Sequence, residues 1–179
     1  MDIDDLIDAV LGREGGFSDN PADRGGATRW GITERVARAN GYAGDMRALP
    51  RETAAAIYRR LYWQRPGYDR VAAAMPLIAA ELFDTGINMG PKVATGFLQR
   101  ALNALNRGGA DHADVAVDGL IGPHTLAALD GFRARRGAAG ERVLLKALEA
   151  LQGARYMTLA ERRPANEAFL YGWLANRLG

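Results

Sequence analysis

Glycine- and proline-marked breaks cut this chain into helix-length segments, and nearly every segment between them repeats its apolar residues at helical spacing. In the first, Ile3, Leu6, Ile7, Val10 and Leu11 form one apolar stripe, and Asp2, Asp4 and Asp5 lie at the end where a helix dipole favours negative charge. This helix is predicted to run to about Arg13 and to stop at Gly15-Gly16. Helical patterns resume at about Thr33–Asn40, Arg51–Gln64, Pro76–Asn88, Pro91–Asn106, Pro123–Arg135, Glu141–Arg162 and Asn166–Leu178. Pro76, Pro91 and Pro123 open three of them in the favoured first-turn position. The breaks, at Gly41–Leu49, Pro66–Arg70, Arg107–Gly122 and Gly137–Gly140, are polar and glycine-rich. Only Phe17–Thr33, with Pro21, Gly25, Gly26 and Gly31 among turn-forming Asp and Asn residues, reads as a loop or small hairpin. The expectation is a mainly α fold with one irregular segment near its front.

A chain of 179 residues can bury a single core of ordinary domain size. Its 48% hydrophobic and 25% charged residues are globular values. With no cysteine, disulfides, thiolate metal sites and thiol nucleophiles are excluded, so the chemistry falls to oxygen, nitrogen and carboxylate groups. The acidic N-terminus lacks the basic start and apolar core of a secretory signal, and Val71–Phe83, interrupted by Pro76 and Glu81, is too short to span a bilayer. The reading is synthesis in the cytoplasm and no stable membrane insertion. A net charge of +2 and a pI of about 9.1 suit an anionic polymer without saying which.

The most informative stretch is Arg13-Glu14-Gly15-Gly16-Phe17, continued by Asp23-Arg24-Gly25-Gly26-Ala27-Thr28-Arg29-Trp30-Gly31-Ile32-Thr33. Glu14 falls at the C-terminal end of the first helix, where unpaired carbonyls and the negative dipole end disfavour its ionised form. A carboxyl group kept protonated suits a proton donor. Cleavage of a glycosidic bond needs such a donor for the leaving oxygen and a second group to manage water or positive charge. Asp23 is the natural second carboxylate, and Asp19 is its rival.

These residues resemble glycoside hydrolase family 108, the N-acetylmuramidases. The resemblance extends to Leu61-Tyr62-Trp63 and Phe83-Asp84-Thr85-Gly86-Ile87-Asn88-Met89-Gly90. Further on, Val117-Asp118-Gly119-Leu120-Ile121-Gly122-Pro123-His124-Thr125-Leu126 resembles the peptidoglycan-binding module common at the C-terminal end of these enzymes. The resemblance implies a lysozyme-like helical domain with a small irregular β-hairpin or loop near the N-terminus. It divides the chain into a catalytic module over residues 1–92 and a peptidoglycan-binding module over 93–179, packed together as one compact unit. It also implies an endo-acting hydrolase of the β-1,4 bond between N-acetylmuramic acid and N-acetylglucosamine. Glu14 would be the general acid, no cofactor or metal would be needed, bacterial peptidoglycan would be the partner, a monomer would suffice, and the enzyme would act on the cell wall in the periplasm after holin-type or other release. Phage-type lysozymes place Glu, Asp and Thr in similar order around a glycine-rich hairpin, which implies that Asp23 and Thr28 position water or stabilise the oxocarbenium-like state.

Trp30, Tyr62 and Trp63 can stack on sugar rings, although Tyr58 and Tyr62 also form a core-like i, i+4 pair. Asn88, at a helix end, either caps that helix or binds an N-acetyl group. Asp118 and His124 flank a turn into a helix, which in wall-binding modules presents polar groups to glycan or peptide. His112 and His124 lack metal-ligand spacing. Arg133 to Arg136 and Arg162-Arg163 are solvated helix faces rather than a nucleic-acid site, for which no recognition motif exists. A noncatalytic wall-binding protein and a lytic transglycosylase are the alternatives to a hydrolase.

Overall fold

The computed structural model describes residues 2–14, 16–19 and 26–178, the side chain of Glu14 excepted. The fold is mainly helical with one small sheet near the N-terminus, as expected. The chain divides into two compact units, Met1–Arg65 and Pro66–Gly179.

In the first unit, α1 (Ile3–Glu14) buries Ile7, Val10 and Leu11, the inner part of the predicted stripe, and keeps Asp4 and Asp5 in its first turn. Three two-residue strands follow, β1 (Phe17–Ser18), β2 (Thr28–Arg29) and β3 (Ile32–Thr33), antiparallel in the order β1-β2-β3. Thr33 ends the sheet and starts α2 (Glu34–Ala39), its hydroxyl accepting from the Val36 N–H at 3.4 Å. A 3-10 turn at Met46–Ala48, capped by Asp45, leads to α3 (Arg51–Tyr58). The helix then widens into a π turn over Arg59–Gln64, where an unbroken α-helix was predicted. Arg51 binds Asp8 at 2.7 Å and Arg59 binds Asp4, tying this run to α1. Ile32, Ala37, Met46, Leu49, Ala54 and Ile57 complete the core.

The second unit contains α4 (Tyr68–Ala74), α5 (Pro76–Met89), α6 (Pro91–Leu105), α7 (Pro123–Arg162) and α8 (Glu167–Arg177). Pro76, Pro91 and Pro123 occupy the first helical turns predicted for them. Helix α4 was not expected: Gly67, at φ 84°, turns the chain out of the predicted break and Tyr68 begins a short helix at once. The predicted gap at Gly137–Gly140 shrinks to one residue. Gly137, at φ 60° and ψ −160°, kinks α7, and helix resumes directly after it. The core joins Val71, Met75, Ile78, Leu82 and Phe83 to Leu98, Leu102, Leu129, Phe132, Leu144 and Leu148. Tyr68 lies wholly buried, donating to the Pro91 carbonyl at 2.9 Å, and burial pushes its phenol up to about 12. Among the described residues no helix is long and apolar enough to cross a membrane.

Candidate functional site

Glu14 is the last residue of α1, and β1 begins only three residues later. Strand pairing sets what stands beside it. Phe17 is opposite Arg29 and Ser18 opposite Thr28, while Thr28 also faces Thr33 across the other edge. Thr28 therefore sits in the central strand, half-buried, its hydroxyl donating a long bond of 3.5 Å to the Gly26 carbonyl.

The turn from β2 to β3 consists of Trp30 at φ 54° and Gly31 at φ 72°, the doubly positive geometry that suits a tight hairpin. A tryptophan pays for that conformation, so the turn must be held from outside. The indole N–H donates to the Leu49 carbonyl at 3.0 Å, and the Tyr58 hydroxyl donates to the Trp30 carbonyl at 3.2 Å. The Arg29 guanidinium lies 5.5 Å from the Trp30 ring centroid. Trp30 is thus fixed at its backbone and at its indole nitrogen.

The Tyr58 and Tyr62 rings pack at 5.7 Å and 33°. Tyr62 and Trp63 both belong to the π turn and are half-buried; burial raises the Tyr62 phenol above its ordinary value. Asp23 lies outside the described residues, as does the Glu14 carboxyl. Asp19 is exposed, 3.9 Å from an equally exposed Arg47, whose guanidinium lies over the Phe17 ring at 5.1 Å.

Asn88 belongs to the second unit, near the end of α5. It is exposed, and its amide donates to the Asp84 carbonyl at 2.8 Å and the Asp84 carboxylate at 3.1 Å. Asp118 and His124 line a groove of about 280 Å³ with Asp114 and Thr125, and both are exposed. The Asp118 carboxylate accepts from the Gln99 amide at 2.7 Å and the Leu120 N–H at 2.9 Å; these bonds, the Gln99 one first, hold its carboxyl below the usual range.

Sequence reasoning missed the residues that build this second site. Gln99 also donates to the Leu120 carbonyl and accepts from the Gly119 N–H, Asn103 bonds both the N–H and the carbonyl of Val115, and Asn106 does the same for His112. Gln99 and Asn103 on α6, four residues apart, and Asn106 just past its end clamp the segment between α6 and α7. Among the described residues no group of three or more His, Asp or Glu side chains is gathered to hold a metal.

Residues 7–90 match the glycosyl hydrolase 108 family model, and residues 93–178 match the family described as Predicted Peptidoglycan domain. The solved structure of SagA from Brucella abortus is similar over 98% of this chain and 88% of that one, at 27% identity and a TM-score of 0.69. No curated protein is a significant match.

Proposed function

We propose that this protein, which matches the glycosyl hydrolase 108 family model over residues 7–90 and the peptidoglycan domain over residues 93–178, is a peptidoglycan hydrolase, and more closely an N-acetylmuramidase with Glu14 as general acid. The bond cut is the β-1,4 link from N-acetylmuramic acid to N-acetylglucosamine, and the place of action is the cell wall. The supporting observation is the position of Glu14, the last residue of α1 and three residues before the sheet that carries Thr28. Glu14 gives its proton to the glycosidic oxygen as the C–O bond breaks. Water then adds to the sugar carbon, and its proton leaves to a carboxylate. Asp23 accepts that proton or steadies the cationic ring, and the Thr28 hydroxyl orients the water. Tyr62 and Trp63 offer aromatic faces to the sugars, and Trp30 shapes the hairpin of the same unit. Within the second unit, Asn88 carries an amide suited to an N-acetyl group.

Glu14→Gln tests the assignment, because the amide keeps the shape and cannot donate the proton. Lysis of purified cell walls is expected to fall by about two orders of magnitude or more, with the melting temperature unchanged. Substantial lysis by the folded variant removes Glu14 from the role. The mass of the released fragments separates the reaction types: a hydrolase leaves a reducing sugar, whereas a transglycosylase leaves an anhydro sugar lighter by one water.

A further inference from the structure

A groove of about 600 Å³ opens in the second unit between the α4–α5 junction and the kink of α7. Its volume lies within the range of small-ligand sites. Met75 and Pro76 form part of one wall, and Asp130, Arg133, Ala138 and Glu141 part of the other. The kink shapes this wall, since Gly137 adopts a backbone conformation almost confined to glycine and the four named α7 residues lie on both sides of it. Glu141 has a structural task as well: its carboxylate accepts the Leu77 N–H at 2.8 Å and so caps α5, which lacks a side-chain cap of its own.

The other two charges have no such task. Asp130 and Arg133, both exposed and three residues apart on α7, form no ion pair or hydrogen bond among the described residues. The neighbouring arginines behave differently. Arg107, Arg135 and Arg136 all converge on the carboxylate of Asp111, Arg135 at 3.7 Å and Arg136 at 3.1 Å. The groove thus presents an unspent cation and an unspent anion over a wall of small and apolar side chains, and no aromatic ring lines it.

Those features discriminate between the two parts of peptidoglycan. The glycan strand is bound through ring stacking and neutral hydrogen bonds. The peptide stem carries free carboxylates, a free amine in its dibasic residue and alanine methyls. We infer that the groove at the α7 kink binds the peptide stem, Arg133 taking a carboxylate as a charge-assisted pair and Asp130 taking the ammonium group. The inference rests on the wall-directed reading above and adds a second contact, separate from the groove at Asp118 and His124. Enzyme and wall would then be held together through stems as well as sugars.

The test is an amide-shift titration of the ¹⁵N-labelled full chain with two probes, the soluble tetrapeptide L-alanyl-γ-D-glutamyl-meso-diaminopimelyl-D-alanine and the peptide-free glycan chitotetraose. The peptide is expected to shift the Gly137 and Ala138 amides, and chitotetraose to leave them in place. Arg133→Ala and Asp130→Ala, both surface changes, are expected to weaken peptide binding about tenfold each with melting unchanged. Silent groove amides, equal affinity in either variant, or a shift of the same amides by chitotetraose overturns the inference. Sedimentation with purified cell walls separates the two levels. A wild-type chain that neither lyses purified walls nor sediments with them removes the wall reading itself, whereas a chain that does either while its groove amides stay silent to the peptide removes only the stem site.

Discussion

Trp30 holds the hairpin in a shape that its own side chain disfavours, so the hydroxyl of Tyr58 acts on the candidate site without being part of the chemistry. Tyr58→Phe keeps the ring and removes the donor. It is expected to cost about 1 kcal/mol of stability and, by loosening the strand that carries Thr28, to lower kcat more than it changes KM. Melting and wall-lysis kinetics measure the two effects separately. The carboxylates divide similarly. Asp19→Asn removes only a long, solvent-exposed pair with Arg47, so its stability should change by less than about 0.5 kcal/mol. Asp23→Asn should depress turnover more than Asp19→Asn does; the reverse ranking in a lysis assay moves the second carboxylate to Asp19. At this scale the sequence was legible in the placement of Glu14 at the end of the first helix, where the two glycines after it signal a stop. It was opaque where a polar residue turns inward. Gln99 and Asn106 are 1% and 0% exposed, although polar residues of these types are mostly exposed. Only the loop folded over them makes them core.

Among the elements, the helices opened by proline were legible because proline both fixes φ and needs no hydrogen bond in the first turn. Helix α4 was not. Seven residues give less than two full periods, and the Pro66-Gly67 pair before it signals a break rather than a start. The π turn at Arg59–Gln64 escaped for a related reason, since over six residues its periodicity cannot be told from that of an α-helix. The kink in α7 was visible as a glycine-rich gap but not as a single residue. Gly137→Ala tests that residue: an added Cβ meets no neighbouring atom within 4 Å, so the penalty is conformational, about 1–3 kcal/mol, and is read as a lower melting temperature.

Over the whole molecule two dividing lines coexist. Compactness separates the chain after Arg65, whereas family likeness changes between residues 90 and 93. Helices α4 and α5 therefore belong to the hydrolase by sequence and to the second unit by packing. Polar contacts tie both into that unit: Tyr68 of α4 donates to the Pro91 carbonyl at 2.9 Å, and on α5 Thr85 accepts from Gln152 at 2.9 Å and Asp84 binds Arg177 at 3.2 Å. A fragment ending at residue 92 keeps α5 and loses Gln152 and Arg177, so it is expected to show no cooperative thermal transition. The same region holds a carboxyl group that makes stability depend on pH. Burial pushes Glu81 up to about 7 from 4.5, helped by the charges of Asp84 and Glu149 and opposed by a hydrogen bond from Thr85. Its protonated form is favoured in the folded chain, so its contribution to stability is complete below about pH 4.5 and lost as pH rises to about 7. Glu81→Gln should gain on the wild type across that interval and hold a constant advantage above it, as melting scans at several pH values would show. The cap on α5 has a consequence in time. Leu77 receives its acceptor from a residue 64 positions later, and Asp84 meets a cation 93 positions later. During synthesis, when domains ordinarily mature in the order they leave the ribosome, the hydrolase half must wait for the final helix of the chain before its own α5 is complete.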